Sequence, residues 1–220
     1  QYGVDYNILT VVTQKTAGHA AEIYNYYKEQ GWKYQQYIAC LDPLGEDRGK
    51  TPYALNPEQY GMFLTELFNL WYEDWKKGEQ PYIRQFENYI GILLGYQPES
   101  CEQRGSCGIQ NVVEADGSVY PCDFYALDEY KLGNFNCNRL EEIDKKRKEI
   151  AFVEQSQIVA ENCKNCKFYK ICKGGCRRNK DFNAMNGEYE NYFCKSYRIF
   201  FDICLERMIQ IVEIIKNQKG

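Results

Sequence analysis

Eight of the eleven cysteines in this 220-residue chain fall at spacings suited to metal coordination. From Cys163 the sequence runs C-x2-C-x5-C-x3-C through Cys166, Cys172 and Cys176, and Cys194 follows after seventeen residues. Upstream, Cys107 opens C-x9-G-x4-C through Gly117 to Cys122, with Cys101 just before it. Thiolates are soft ligands for zinc or for iron–sulfur clusters, and C-x2-C turns two sulfurs toward one centre. The eight divide into two sets of four, the single histidine, His19, is remote in sequence, and the long run lacks the two-pair layout of a zinc ribbon. These features favour iron–sulfur clusters and leave structural zinc as the alternative.

Composition narrows the setting. A net charge of −4 and a pI near 5.3 argue against a nucleic-acid binder, which carries a basic face. The N-terminal residues lack the basic-then-apolar pattern of an export signal. The apolar run from Phe200 to Ile215 is broken by Asp202, Glu206, Arg207 and Glu213, so no membrane span is expected. An odd number of thiols without that signal points to a reducing cytoplasm. Twenty tyrosines and eleven phenylalanines read as a tyrosine-rich core and surface, with an aromatic peptide groove as the functional alternative.

The elements that must hold these sulfurs fall into two segments, 1–80 and 81–220. Asp5 to Thr13 reads as a buried strand, Thr16 to Gln30 as a helix ended by Gly31, and Lys33 to Leu41 as a second strand. This is a β-α-β unit, hence a parallel sheet. Asn56, Pro57 and Gln59 form a capping pattern for a long helix with Phe63, Leu64, Leu67, Phe68, Trp71 and Trp75 on its apolar face, stopped by Gly78. A helix is expected from Tyr82 to Leu94. Beyond Cys101, Asp116-Gly117 marks a hairpin between Asn111 and Tyr120, and Arg139 to Ile150 a charged helix whose Lys145–Lys148 run faces solvent. Cys163 to Cys176 reads as a loop with little core-forming pattern, which metal would order. An amphipathic helix from Ser196 to Lys216 closes the chain.

Over residues 101–195 the pattern resembles the SPASM domain, the auxiliary-cluster extension of radical S-adenosylmethionine enzymes. Cys107, Gly117, Cys122, Cys163, Cys166, Cys172, Cys176 and Cys194 match it position by position, and Gly117–Asp123 and Leu132-Gly-Asn134 are similar to its flanking sequence. Gln36–Pro43 and Pro121-Cys-Asp-Phe124 resemble anaerobic sulfatase-maturating enzymes in particular. The resemblance implies an α/β fold: late strands of a partial (β/α)6, TIM-like barrel, then an α+β SPASM domain holding two [4Fe–4S] clusters. It implies that Cys101, Cys107, Cys122 and Cys176 hold the first cluster, and Cys163, Cys166, Cys172 and Cys194 the second. It implies an oxidoreductase that converts a cysteine or serine of a sulfatase polypeptide to Cα-formylglycine. Asp123 would be the general base, its carboxylate made more basic by the negative cluster beside it.

In the implied reaction a 5′-deoxyadenosyl radical takes hydrogen from the substrate Cβ. Asp123 takes the thiol or hydroxyl proton, and the remaining electron passes to an auxiliary cluster. The radical-generating C-x3-C-x2-C motif occurs nowhere in the chain. The expectation is therefore a C-terminal portion, inactive alone. S-adenosylmethionine, a third [4Fe–4S] cluster and an electron donor such as flavodoxin or ferredoxin would belong to the full-length enzyme. Leu41, at the second strand's end, is a candidate S-adenosylmethionine contact through its backbone. Rival readings are another SPASM peptide maturase that crosslinks or epimerises residues, and a zinc-stabilised interaction module. Cys40, Cys137 and Cys204 stand outside both sets, Cys204 as a core residue. Arg177, Arg178 and Lys180, just after Cys176, read either as cluster counter-charge or as a surface patch.

Overall fold

The computed structural model describes residues 3, 4 and 6–218, so Asp5, where the sequence places the start of the first strand, lies outside the described residues. Strand β1 spans Ile8–Val12, helix α1 Ala20–Glu29, β2 Tyr34–Ala39 and α2 Pro57–Trp75. A 3-10 turn at Thr16–Gly18 delays α1, because the Thr13 and Thr16 hydroxyls bind nearby backbone, Thr16 Oγ1 accepting from Thr13 N at 2.8 Å. Asn56 caps α2 by accepting from the Glu58 N–H at 2.8 Å, one residue short of the box expected with Gln59.

The expected helix at Tyr82 begins instead as a two-residue strand, β3 (Tyr82–Ile83), followed by α3 (Arg84–Leu93). Its Tyr82 N–H donates to Lys33 O at 2.7 Å, and this edge pairing overrides helix pattern. Strands β1, β2 and β3 make a parallel sheet in chain order, with Ile8 opposite Gln35 and Tyr34 opposite Tyr82. The described part of the expected barrel is thus an open three-stranded α/β layer.

The second segment begins with α4 (Cys101–Arg104), then β4 (Val112–Val113), β5 (Ser118–Tyr120) and β6 (Gly133–Asn134) in an antiparallel meander. Gly117 turns the first hairpin at φ +83°, where a Cβ would meet Asn136 Nδ2 at 2.6 Å. Helices α5 (Leu140–Glu149), α6 (Phe152–Ser156), α7 (Glu161–Lys164) and α8 (Tyr169–Cys172) follow, then the hairpin β7 (Lys180–Asn183) and β8 (Glu188–Asn191), and α9 (Cys194–Gln218). The Lys145–Lys148 run is not wholly a solvent face, since Arg147 turns inward and donates to Asn111 Oδ1.

One apolar core joins both segments. Helix α9 lies along α2, and Phe68 packs edge-on against Phe86 and Phe200, with centroids 5.2 and 5.9 Å apart. Phe168 and Ile171, between the cysteines of the long run, are buried in this core, Phe168 lying 5.5 Å from the Phe201 ring. The expected featureless loop therefore carries two short helices and two anchors. A second, small cluster of Val119, Leu132 and Ile143 lies under the meander. Among the described residues seven tyrosines, including Tyr37 and Tyr60, are buried while others such as Tyr26 and Tyr53 are exposed, in keeping with a tyrosine-rich core and surface. Cys204 is fully buried, and no helix among the described residues is long and apolar enough to cross a membrane.

Candidate metal centres

All eleven cysteines are free thiols. Among the described residues no three His, Cys, Asp or Glu side chains converge closely enough to hold a single metal ion. Seven of the cysteines instead line two separate hollows.

Cys101, Cys107 and Cys176 line the first, with Gly105, Ser106, Ser156, Gly175 and Arg177. Cys101 sits at the start of α4, and Gly105 ends that helix at φ +72° with Lys173 O where a Cβ would be. The Cys107 N–H donates to Ser156 Oγ at 2.8 Å, which ties this loop to α6. Cys122 leaves β5, and its thiol donates to Asp123 Oδ1 at 3.1 Å. Cys176 Sγ accepts from the Arg178 N–H at 3.4 Å. Burial raises the pKa of Cys101, Cys176 and Cys122, the last to about 12, and Cys107 adds to the rise in all three. Cys107 is thus near enough to act on each of the other three, although Cys122 does not itself line the hollow.

The second hollow is a cavity of about 400 Å³ lined by Cys163, Cys166, Cys172 and Cys194, with Tyr197, Asn191 and Phe201 in its wall. Cys163 rides on α7, Cys172 ends α8, and Cys194 opens α9, whose N-terminus favours negative charge. Burial lifts Cys172 to about 12 and raises Cys163 and Cys194, with thiols of the same set adding to each. A bound metal favours the thiolate form of such cysteines, and four of them lining one hollow suit a multi-iron core. The donor sets therefore fit iron–sulfur clusters.

Cys172 and Cys176 are four residues apart yet face different hollows. Lys173, Gly174 and Gly175 lie successively at φ +55°, +81° and +73°, a left-handed stretch that reverses the sulfur direction. Asn191 clamps it, donating to Gly174 O at 2.9 Å while accepting from Phe193 N at 2.8 Å. A second link crosses the same wall: Tyr197, in the second cavity, donates its hydroxyl to Glu102 beside Cys101. Ser156, Asn191, Glu102 and Tyr197 carry no spacing signal, so sequence reasoning passes over them.

Asp123 is exposed on a 3-10 turn at Asp123–Tyr125, immediately after Cys122. Leu41 is half-buried, just past the carboxyl end of β2, where Cys40 N donates to Val12 O at 2.8 Å. Cys137 is exposed and Cys40 half-buried, apart from both hollows.

Residues 101–167 match the SPASM family model, described as an iron–sulfur cluster-binding domain. The match takes in Cys101, Cys107, Cys122, Cys163 and Cys166, and stops before Cys172, Cys176 and Cys194. The chain is 45% identical over 216 residues to a cysteine-type anaerobic sulfatase-maturating enzyme of Clostridium perfringens (strain 13 / Type A), covering 98% of this chain and 58% of that protein. It is 29% identical over 237 residues to a serine-type enzyme of Bacteroides thetaiotaomicron, covering 56% of that protein. The solved structure of native anSMEcpe with bound AdoMet and Cp18Cys peptide superposes with a TM-score of 0.90 at 44% identity, over 97% of this chain and 59% of that one. The chain thus spans somewhat under three-fifths of the relatives it matches.

Proposed function

The chain belongs with the anaerobic sulfatase-maturating enzymes, and from that premise we propose that it is the cluster-bearing part of a protein-modifying oxidoreductase. In this reading it carries two [4Fe–4S] sites and the general base that help convert a sulfatase residue to Cα-formylglycine. The observation that carries the reading is the division of seven of the eight cysteines between two hollows, with the left-handed Lys173–Gly175 stretch turning Cys176 away from Cys172. Cys101, Cys107, Cys122 and Cys176 hold the first cluster, and Cys163, Cys166, Cys172 and Cys194 the second. Bound clusters supply reversible one-electron acceptance at potentials set by burial and hydrogen bonds to sulfur. The residue oxidised is a cysteine, in line with identity of 45% to the cysteine-type relative against 29% to the serine-type one.

Asp123 does the proton work. Its Oδ1 accepts from the Cys122 thiol while that thiol keeps its proton. As a cluster ligand Cys122 is a thiolate, so the carboxylate loses this donor and is free to take the proton of a substrate thiol. Its exposure leaves room for a polypeptide to approach. Leu41 lies beyond the carboxyl ends of parallel strands, where ligands of α/β folds bind, and its backbone is assigned to S-adenosylmethionine.

Anaerobic metal and sulfide analysis tests the cluster sites. Two four-iron clusters give about eight iron and about eight sulfide per chain, and Cys107→Ser or Cys166→Ser lowers each toward half. Zinc without sulfide would mark a zinc-stabilised module instead. In the full-length enzyme Asp123→Asn is expected to cut formylglycine formation about 10²–10⁴-fold while S-adenosylmethionine cleavage persists. Turnover that survives the substitution removes Asp123 from the role.

A further inference from the structure

The basic run after Cys176 is not a surface patch. Arg178 is buried, and its guanidinium donates to Asp42 O. Arg177 lies 4.5 Å over the Phe152 ring and donates to Phe152 O at 2.7 Å. Lys180 takes a different path. Its Nζ donates to Ser156 O at 3.2 Å and Ile158 O at 3.4 Å, and these partners are carbonyls, with no carboxylate among them.

Each cysteine hollow has a lining residue that meets Lys180. Ser156 lines the first hollow and holds the Cys107 N–H. On β7, Lys180 pairs across the ladder with Asn191, which lines the second cavity and clamps Gly174. Lys180 therefore lies behind a lining residue of each site, a half-buried cation with no carboxylate partner among the described residues. Burial pulls its pKa down, and the thiols of Cys163, Cys176 and Cys107, drawn from both sets, push it back up.

We propose that Lys180 is a shared positioning charge that raises the reduction potentials of both clusters together. The inference rests on the two-cluster reading above. Each one-electron reduction adds one negative charge to a cluster. A nearby ammonium stabilises that added charge, the more so where burial weakens solvent screening. The two sites thereby become better electron acceptors through one side chain.

Anaerobic redox titration of the iron-loaded chain with dithionite, followed by EPR, tests this, with Cys107→Ser and Cys166→Ser samples assigning the two signals. Lys180→Met is expected to disfavour reduction of each cluster about tenfold, equal to 59 mV for a one-electron couple. Lys180→Arg, which keeps the charge, is expected to leave both potentials close to those of the unaltered chain. If Lys180→Met fails to load, Lys180→Gln carries the same test, because its amide can still donate to Ser156 O and Ile158 O. A loaded, uncharged variant in which neither potential falls, or only one does, overturns the inference. A chain that binds no iron and sulfide overturns the cluster reading itself.

Discussion

The two cysteine sites rest on unlike foundations. The second is mounted on the main core: Cys166 and Cys172 pack against it, and Phe168 and Ile171 between them are buried in it beside Phe201. The first hangs on hydrogen bonds and on a cluster of Val119, Leu132 and Ile143. Apolar burial can thus preform one site, whereas the other depends on turns, caps and the metal itself. The left-handed stretch from Lys173 to Gly175 is where the rigid site lends its position to the weaker one.

Truncating each core should separate the two. Phe200→Ala removes a ring packed among Phe68, Phe86, Tyr89 and Phe201. It is expected to cost about 3–5 kcal/mol in denaturant unfolding and to loosen the second site. Ile143→Ala is expected to cost about 2–4 kcal/mol and to raise hydrogen exchange around Cys107 and Cys122 while leaving Cys163–Cys172 protected. Equal loss of protection at both sites after Ile143→Ala would erase the distinction.

A smaller effect is expected at the joint. Gly175 has φ +73°, and a Cβ there would run into Asn191 Nδ2. Gly175→Ala should cost about 1–3 kcal/mol. Because the change displaces Cys176 from its partners, iron content should fall at the first site before the second. Unchanged loading would show that the reversal is not what aims Cys176.

How much of this was legible in the sequence follows from the same contrast. Ligand chemistry is local and discrete, so Cys163, Cys166 and Cys172 announce themselves by spacing. Pairing Cys176 with Cys101 rather than with Cys172 came from the family resemblance, since no spacing rule encodes a left-handed reversal. Strand β1 and helices α2 and α9 were readable from apolar periodicity. Strand β3 was not, because two residues carry no period and their order comes from pairing with β2 and with Lys33 just before it. Phe168 and Ile171 were missed for a related reason: an anchor three residues from its partner in a ligand-dense run looks like loop. Lys180 was visible as a charge, but its place behind both hollows depends on a ladder partner, Asn191, eleven residues away.

The slightest expected effect concerns the link from α3 toward the first site. Glu87 on α3 is held up to a pKa of about 7, by burial first and then by the charge of Glu99, just before α4. Its ordinary value is 4.5, so the folded chain binds more protons than the unfolded chain between the two values. Stability from this group is complete below the ordinary value and is lost as pH rises through about 7, above which Glu87 is a half-buried charge facing a like charge. Glu87→Gln removes that charge. At about pH 8 the variant should be more stable than the parent by on the order of 1 kcal/mol, and the difference should vanish near pH 4.5 and below. Denaturant midpoints at both pH values check the sign. A gain equal at both would mean that the substituted amide improves packing. A gain confined to high pH would show that the folded chain holds a charged Glu87 at a cost, through burial and the charge of Glu99.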